Sequence, residues 1–168
     1  QLSATAPRGY GETPDKTIRD SLKKNTSRMK GYFLTASIER TEGKMRALKT
    51  AFKAWHVLVL DDIGTKVPFE DVPEDLEETY DIETSPGNHQ LGSVWKAPIT
   101  CYHEAQMLID FAVDAKVTDG GGAMPCKKVR LPCGVNGKLT DTGDFHVRLE
   151  HFNGRLWTPQ EFLDAIEA

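Results

Sequence analysis

His56-Val57-Leu58-Val59-Leu60-Asp61-Asp62-Ile63-Gly64 places two adjacent carboxylates directly behind a Val/Leu run and just before a glycine. The β-branched and aliphatic content of Val57 to Leu60, with its abrupt polar end, predicts a strand over His56 to Asp61. Two acids at the end of a buried strand sit close together and partly out of water, so their repulsion must be relieved by a proton or a cation. A hard divalent ion does this through oxygen ligands, in the manner of two-metal phosphoryl and nucleotidyl transfer. The same residues also suit a cap on the turn into Ile63-Gly64-Thr65, and the stretch taken alone leaves both readings open.

Outward from this stretch, strands and helices alternate without a regular βαβ period, which predicts an α+β fold. Tyr32 to Ile38 reads as a buried strand. Tyr80 to Thr84 and His89 to Trp95 read as two strands joined by the turn residues Ser85-Pro86-Gly87-Asn88. Lys127 to Leu131 and Phe145 to Leu149 are shorter strands flanking a Gly/Asn loop. Met45, Leu48, Ala51 and Phe52 share one helical face, with Lys44, Arg46, Lys49 and Lys53 largely elsewhere. Ala105, Leu108, Ile109 and Ala112 define the buried face of a helix over Tyr102 to Lys116. A polar helix is expected from Pro14 to about Asn25. Thr158-Pro159-Gln160-Glu161 is a capping box with proline at the first helical position, opening a last helix that runs to about Glu167.

The 168 residues suit one domain, read as a flexible leading segment over 1–13 and a single domain over 14–168. A net charge of −4 argues against holding duplex DNA by bulk electropositivity, while leaving room for a local basic groove. Three cysteines without a CxxC pair indicate neither a disulfide framework nor a zinc ribbon, and reduced thiols are the simpler expectation. His56, His103, His146 and His151 lack metal-ligand spacing and read as structural or surface residues. Trp55 and Trp95 read as core.

Three further clusters carry chemistry. Glu83-Thr84-Ser85-Pro86-Gly87-Asn88-His89-Gln90 is a tight small-residue turn whose N–H groups and neutral donors suit phosphate oxygens, though a plain hairpin loop has the same composition. In Val129-Arg130-Leu131-Pro132-Cys133-Gly134-Val135-Asn136-Gly137-Lys138, an arginine fork and a lysine point charge can converge on a polyphosphate, or stand as two separate surface cations. Asp119, before Gly120-Gly121-Gly122, can complete a three-acid site or begin a turn.

Taken in order, LDDIG, ETSPGNHQ, TDGGG and VRLPCGVNGK resemble the archaeo-eukaryotic primase superfamily, most closely the primase-polymerase and RepB-like primase domains of phages and plasmids. The resemblance covers roughly residues 30 to 150. It implies an RRM-like, mostly antiparallel sheet flanked by helices, a smaller α/β unit, and an active-site cleft between them. It further implies a DNA primase-polymerase that joins nucleoside triphosphates on a single-stranded DNA template, with two Mg²⁺ or Mn²⁺ ions. In that scheme Asp61, Asp62 and Asp119 are catalytic metal ligands, and Ser85, Gly87, Asn88 and either His89 or Gln90 contact the nucleotide. Arg130 and Lys138 face the triphosphate. No apolar run reaches membrane-helix length and QLSATAPRGYGETP lacks the apolar centre of a signal peptide, so a cytoplasmic location is expected, in the host if the chain is phage- or plasmid-encoded; the resemblance adds a helicase region in a longer protein. The alternative on the same scaffold is a non-catalytic replication-initiation or nucleotide-binding module.

Several departures from the family pattern set expectations of their own. Many members separate the first two acids by one residue, so that both leave a strand on one face. Asp61 and Asp62 are adjacent, and on a regular strand they diverge, so the strand must end or bulge here. Asp114 competes with Asp119 as third acid, and the inserted Cys133 shifts Lys138 by one position. Template contact is expected from Lys44, Arg46, Lys49 and Lys53, or from Lys127 and Lys128.

Overall fold

In the computed structural model, residues 30–39, 49–121, 123–136 and 143–168 are described. The strand expected around Val57 to Leu60 is longer than its apolar centre: β3 runs over Phe52–Ile63. It is flanked in a six-stranded sheet by β2 (Ala36–Ile38) and β5 (Asn88–Ile99), after which come β4 (Tyr80–Ser85) and β8 (Arg148–Phe152). These four pairings are antiparallel, while the short β9 (Leu156–Trp157) joins β5 in parallel. The β4–β5 hairpin turns where Ser85-Pro86-Gly87-Asn88 predicts, with Gly87 supplying the positive φ of 69° that a side chain would resist.

A second, three-stranded antiparallel sheet has the order β1 (Lys30–Leu34), β6 (Lys128–Asn136), β7 (Phe145–His146). The strand expected over Tyr32 to Ile38 therefore divides, with β1 in the small sheet and β2 in the large one. Thr35 is the crossing point. It is buried, and its N–H donates to Lys127 O at 3.1 Å, its Oγ1 donates to Pro125 O at 2.5 Å, and its carbonyl accepts from His56 N at 2.9 Å. With its polar groups bonded, the chain changes sheet without leaving a buried orphan.

The helical face expected over Met45 to Phe52 is corrected at its end. Residues 40–48 lie outside those described, Lys49–Ala51 forms a single 3-10 turn, and Phe52 and Lys53 belong to β3. Pairing of Phe52 with Ile38 across the sheet outweighs the local helical spacing. The helix expected over Pro14 to Asn25 lies outside the described residues. Helix α1 covers Tyr102–Asp114, and it buries Ala105, Leu108, Ile109 and Ala112. Helix α2 covers Pro159–Glu167 and starts on the Thr158/Glu161 capping box.

Both helices contribute to one hydrophobic cluster on the large sheet, with Leu58, Leu60, Leu91 and Trp95 from the strands and Phe162 from α2. Ring centroids of Trp55 and Trp95 lie 5.2 Å apart, and those of Trp95 and Phe162 lie 5.7 Å apart. Val57 and Val59, paired with Val94 and Gly92, take the opposite face. There the Tyr80 ring lies over Gly92, where an added Cβ would sit 2.0 Å from it. The architecture is thus α+β with two mainly antiparallel sheets and two helices among the described residues. The described part of the smaller unit is the three-stranded sheet of β1, β6 and β7. Among the described residues it is all strand, because both helices bury their apolar faces on the large sheet. No helix among the described residues is long and apolar enough to cross a membrane.

Candidate active site

The adjacent acids sit on an irregularity of the sheet. Leu60 pairs with Leu91 and Ile63 pairs with His89, so Asp61 and Asp62 together oppose the single residue Gln90. This is a β-bulge, and Asp62 adopts a positive φ of 60° within it. Aspartate is one of the few non-glycine residues that accept this conformation readily. The outcome answers the geometric objection to adjacency. Asp61 Oδ1 accepts from Gln90 Nε2 at 3.0 Å, and Asp62 Oδ1 accepts from Asn88 Nδ2 at 3.1 Å. Asn88 and Gln90 are two apart on β5 and share a face, so both carboxylates have turned to that face.

The third acid arrives along the edge of β3. Asp61 N donates to Thr118 Oγ1 at 2.9 Å, and Asp119 N donates to Asp61 O at 3.3 Å. Asp114 ends α1 and is exposed, and it is Asp119 that reaches the acid pair. Two lysines pair with the three carboxylates. Lys66 Nζ lies 2.8 Å from Asp62 Oδ2 and 2.9 Å from Asp119 Oδ2, while Lys127 Nζ lies 2.7 Å from Asp61 Oδ2. Burial alone would raise the Asp62 carboxyl. Hydrogen bonds from Lys66 and Asn88 and the charges of Lys66 and Lys127 outweigh it and hold the group below the usual carboxylate range. Hydrogen bonds to Asp62 and Asp119, and their charges, hold the Lys66 ammonium above its ordinary value.

Lys127 is therefore not the exposed template contact expected of it: its side chain is 17% exposed and spent on Asp61, whereas Lys128 faces solvent. Lys53 pairs with Glu39 at 2.9 Å, and Lys49 lies over the Tyr102 ring. Lys44, Arg46 and Lys138 lie outside the described residues.

The hairpin turn is built by Glu83. Its Oε1 accepts from Gly87 N at 2.8 Å and its Oε2 accepts from Arg148, which together hold the Glu83 carboxyl below its ordinary range. The Gly87 N–H that composition offers to a phosphate is thus already bonded. Asn88 links the turn to the acids, accepting from Thr65 Oγ1 at 2.7 Å and donating to both Asp62 and Thr84. Of the two candidates left open at the end of the motif, Gln90 lies beside Asp61. Its Oε1 also accepts from Arg130 N at 3.1 Å, which ties the two sheets together at the site. His89 takes the opposite face, 2.8 Å from an Asp81 oxygen and edge-on to Phe69. Ser85 is half-buried at the turn.

Arg130 is 7% exposed, with its guanidinium 4.5 Å from the centre of the Tyr32 ring. Nη2 donates to Asn136 Oδ1 at 3.0 Å, and Asn136 Nδ2 donates to Thr84 O at 2.7 Å, so the arginine adjoins the hairpin turn. Nη1 is buried without a hydrogen-bond partner. A buried, unsatisfied guanidinium nitrogen costs free energy that an anionic oxygen would recover.

Lys66, Thr118 and Asn136 were not singled out by sequence reasoning. Lys66 had a signal, four residues after Asp62 across a glycine turn. Thr118 and Asn136 had none beyond adjacency to Asp119 and membership in VRLPCGVNGK.

Gly64 joins the two halves of the site. At its φ of 84°, an added Cβ would lie 2.4 Å from the Gly87 carbonyl oxygen. Gly64→Ala is expected to cost about 1–3 kcal/mol in urea unfolding and to displace the turn from the acids. Gly87→Ala meets no atom within 4 Å and carries only the backbone strain, about 1 kcal/mol. Equal losses for the two variants would show that the Gly64–Gly87 contact is unimportant.

Among the described residues, no three Asp, Glu, His or Cys side chains are grouped closely enough to enclose a metal ion. The donor chemistry nevertheless suits Mg²⁺ or Mn²⁺, which bind one or two carboxylates and complete their shells with water and substrate phosphates. One ammonium touching both Asp62 and Asp119 marks a place between them already occupied by positive charge.

This fold, with paired acids on the strand between β2 and β5, is shared with a solved primase-polymerase domain. The chain is similar to the AEP domain of the cyanophage S-2L primase-polymerase (PrimPol), with a TM-score of 0.65 over 92% of this chain and 77% of that one. At 12% identity the likeness is one of fold. No protein-family model matches the chain, and no curated protein does.

Proposed function

We propose that this chain is a template-dependent nucleotidyltransferase, a DNA primase-polymerase domain that joins nucleotides on single-stranded DNA with release of pyrophosphate. The observation that carries the reading is the bulge, which turns Asp61 and Asp62 to one face and leaves Asp62 within one ammonium's reach of Asp119. A plain turn cap needs no such distortion. Asp61, Asp62 and Asp119 would hold two Mg²⁺ or Mn²⁺ ions, which when bound supply the charge that activates a 3′-hydroxyl and neutralises the leaving pyrophosphate.

The chain's own groups do the positioning. Gln90 and Asn88 each donate to one carboxylate oxygen, which fixes the direction of the remaining lone pairs. Arg130 is the best-supported phosphate contact, since its buried Nη1 has a hydrogen bond to give and the triphosphate has oxygens to accept it. Ser85, at the turn, is the hydroxyl donor assigned to the same phosphates. Lys138 is assigned there by resemblance. Lys128, exposed on β6, is the cation assigned to the template, and a net charge of −4 implies weak, salt-sensitive DNA binding.

One observation favours the second reading, a non-catalytic nucleotide-binding or replication-initiation module: Lys66 and Lys127 already neutralise the acids. Incorporation of labelled nucleotide on a primed single-stranded template with Mn²⁺ separates the two. Template-directed extension is expected. Nucleotide binding without extension would assign the chain to the module.

A further inference from the structure

Lys66 stands on a turn built from the site itself. The carbonyl of Asp62 accepts from the N–H groups of Thr65, Lys66 and Val67 at 3.3, 3.0 and 3.1 Å, and Gly64 N returns to Val67 O at 2.7 Å. The acid that leads the turn thus also anchors the backbone of the lysine that neutralises it. From this base the Lys66 ammonium bridges Asp62 Oδ2 and Asp119 Oδ2, two carboxylates brought together from β3 and from the segment after α1.

The two lysines of the site differ in one respect that matters. The Lys127 side chain is 17% exposed and closed in against Asp61, whereas the Lys66 side chain is 61% exposed. Moving Lys66 into water costs little, because an exposed ion pair is worth little and a long flexible stem regains its freedom. Moving Lys127 would leave a charge poorly solvated.

We propose that Lys66 is a displaceable resident cation: its ammonium occupies the place between Asp62 and Asp119 that a divalent ion takes, so metal binding must expel it. This inference rests on the metal-dependent reading of the site. Two consequences follow from the charges. With Lys66 in place, a divalent ion competes with a tethered ammonium, which weakens its binding. With Lys66 removed and no metal present, the Asp62 and Asp119 carboxylates repel one another unscreened. A purely structural lysine would have the second effect without the first.

The test is a Mn²⁺ titration of the whole chain followed by electron paramagnetic resonance, with melting measured with and without Mn²⁺. Wild type, Lys66→Gln, Lys66→Met and Asp62→Asn are compared. Lys66→Gln and Lys66→Met are expected to bind Mn²⁺ about tenfold more tightly than wild type. They should melt lower than wild type without metal and recover that loss when Mn²⁺ is added. Asp62→Asn should lose the site. If the Lys66 variants bind Mn²⁺ as wild type does, or more weakly, while Asp62→Asn abolishes binding, Lys66 is no competitor and the metal site stands without it. If wild type and Lys66 variants all lack Asp62-dependent binding, the metal-dependent reading fails and this inference fails with it.

Discussion

Asp62→Asn is expected to abolish the proposed template-directed incorporation and to leave the protein folded. The loss expected is about a thousandfold or more, because a carboxylate holding a catalytic ion supports several kcal/mol of transition-state stabilisation and each 1.4 kcal/mol is about tenfold in rate. Stability should change by less than about 1 kcal/mol, since the charge removed faces an exposed lysine. Asparagine is the informative replacement. Asp62 holds a positive φ, which asparagine also accepts, whereas alanine there adds backbone strain of about 1 kcal/mol or more to the loss of the carboxylate. Incorporation by Asp62→Asn within tenfold of wild type, measured alongside urea unfolding, would overturn the catalytic assignment.

The second large effect falls on stability. Asp61 and Lys127 form an ion pair with side chains 19% and 17% exposed, at the point where β3 meets the segment leading into β6. Removing one partner strands the other charge in poor solvent. Lys127→Met is therefore expected to lose about 2–4 kcal/mol in urea unfolding. The double variant Asp61→Asn/Lys127→Met should recover most of that, because the replacement amide keeps an oxygen acceptor for Gln90 and no charge remains unpaired. A loss under about 1 kcal/mol for Lys127→Met would place the pair among ordinary surface contacts. Incorporation adds an independent readout: the double variant should fold normally and still fail to extend a primer.

Much of the fold is legible locally, for reasons visible in particular residues. Val57 to Leu60 form a strand because their branched and aliphatic side chains fit a buried pleat. Ala105, Leu108, Ile109 and Ala112 form a helix because their spacing makes one buried stripe. Thr158 and Glu161 open α2 because their side chains and backbone N–H groups satisfy one another within a single turn. Where local spacing misled, a distant partner was responsible. Phe52 joins β3 because Ile38 pairs with it, and Tyr32 to Ile38 split between two sheets because Thr35 finds Pro125 and Lys127 far along the chain.

The candidate site divides in the same way. Which residue types are present, two adjacent acids behind a strand, a small-residue turn and an arginine within VRLPCGVNGK, is written in the order of the chain, because each cluster is a few residues long. Their directions are not. Asp61 and Asp62 face one way because a bulge sets both against Gln90, and a bulge belongs to the pairing of two strands rather than to either one. Gln90 lies beside the acids and His89 behind them because β5 alternates faces in a register fixed by β3. Lys127 is spent on Asp61, and Lys66 bridges Asp62 to Asp119, because the segment after α1 runs along the edge of β3. The order of residues sets the chemistry on offer, acid by acid and turn by turn. Which charges meet is settled by folding in three dimensions, since ion pairs and hydrogen bonds act over a few ångströms between residues that the chain separates by dozens of positions.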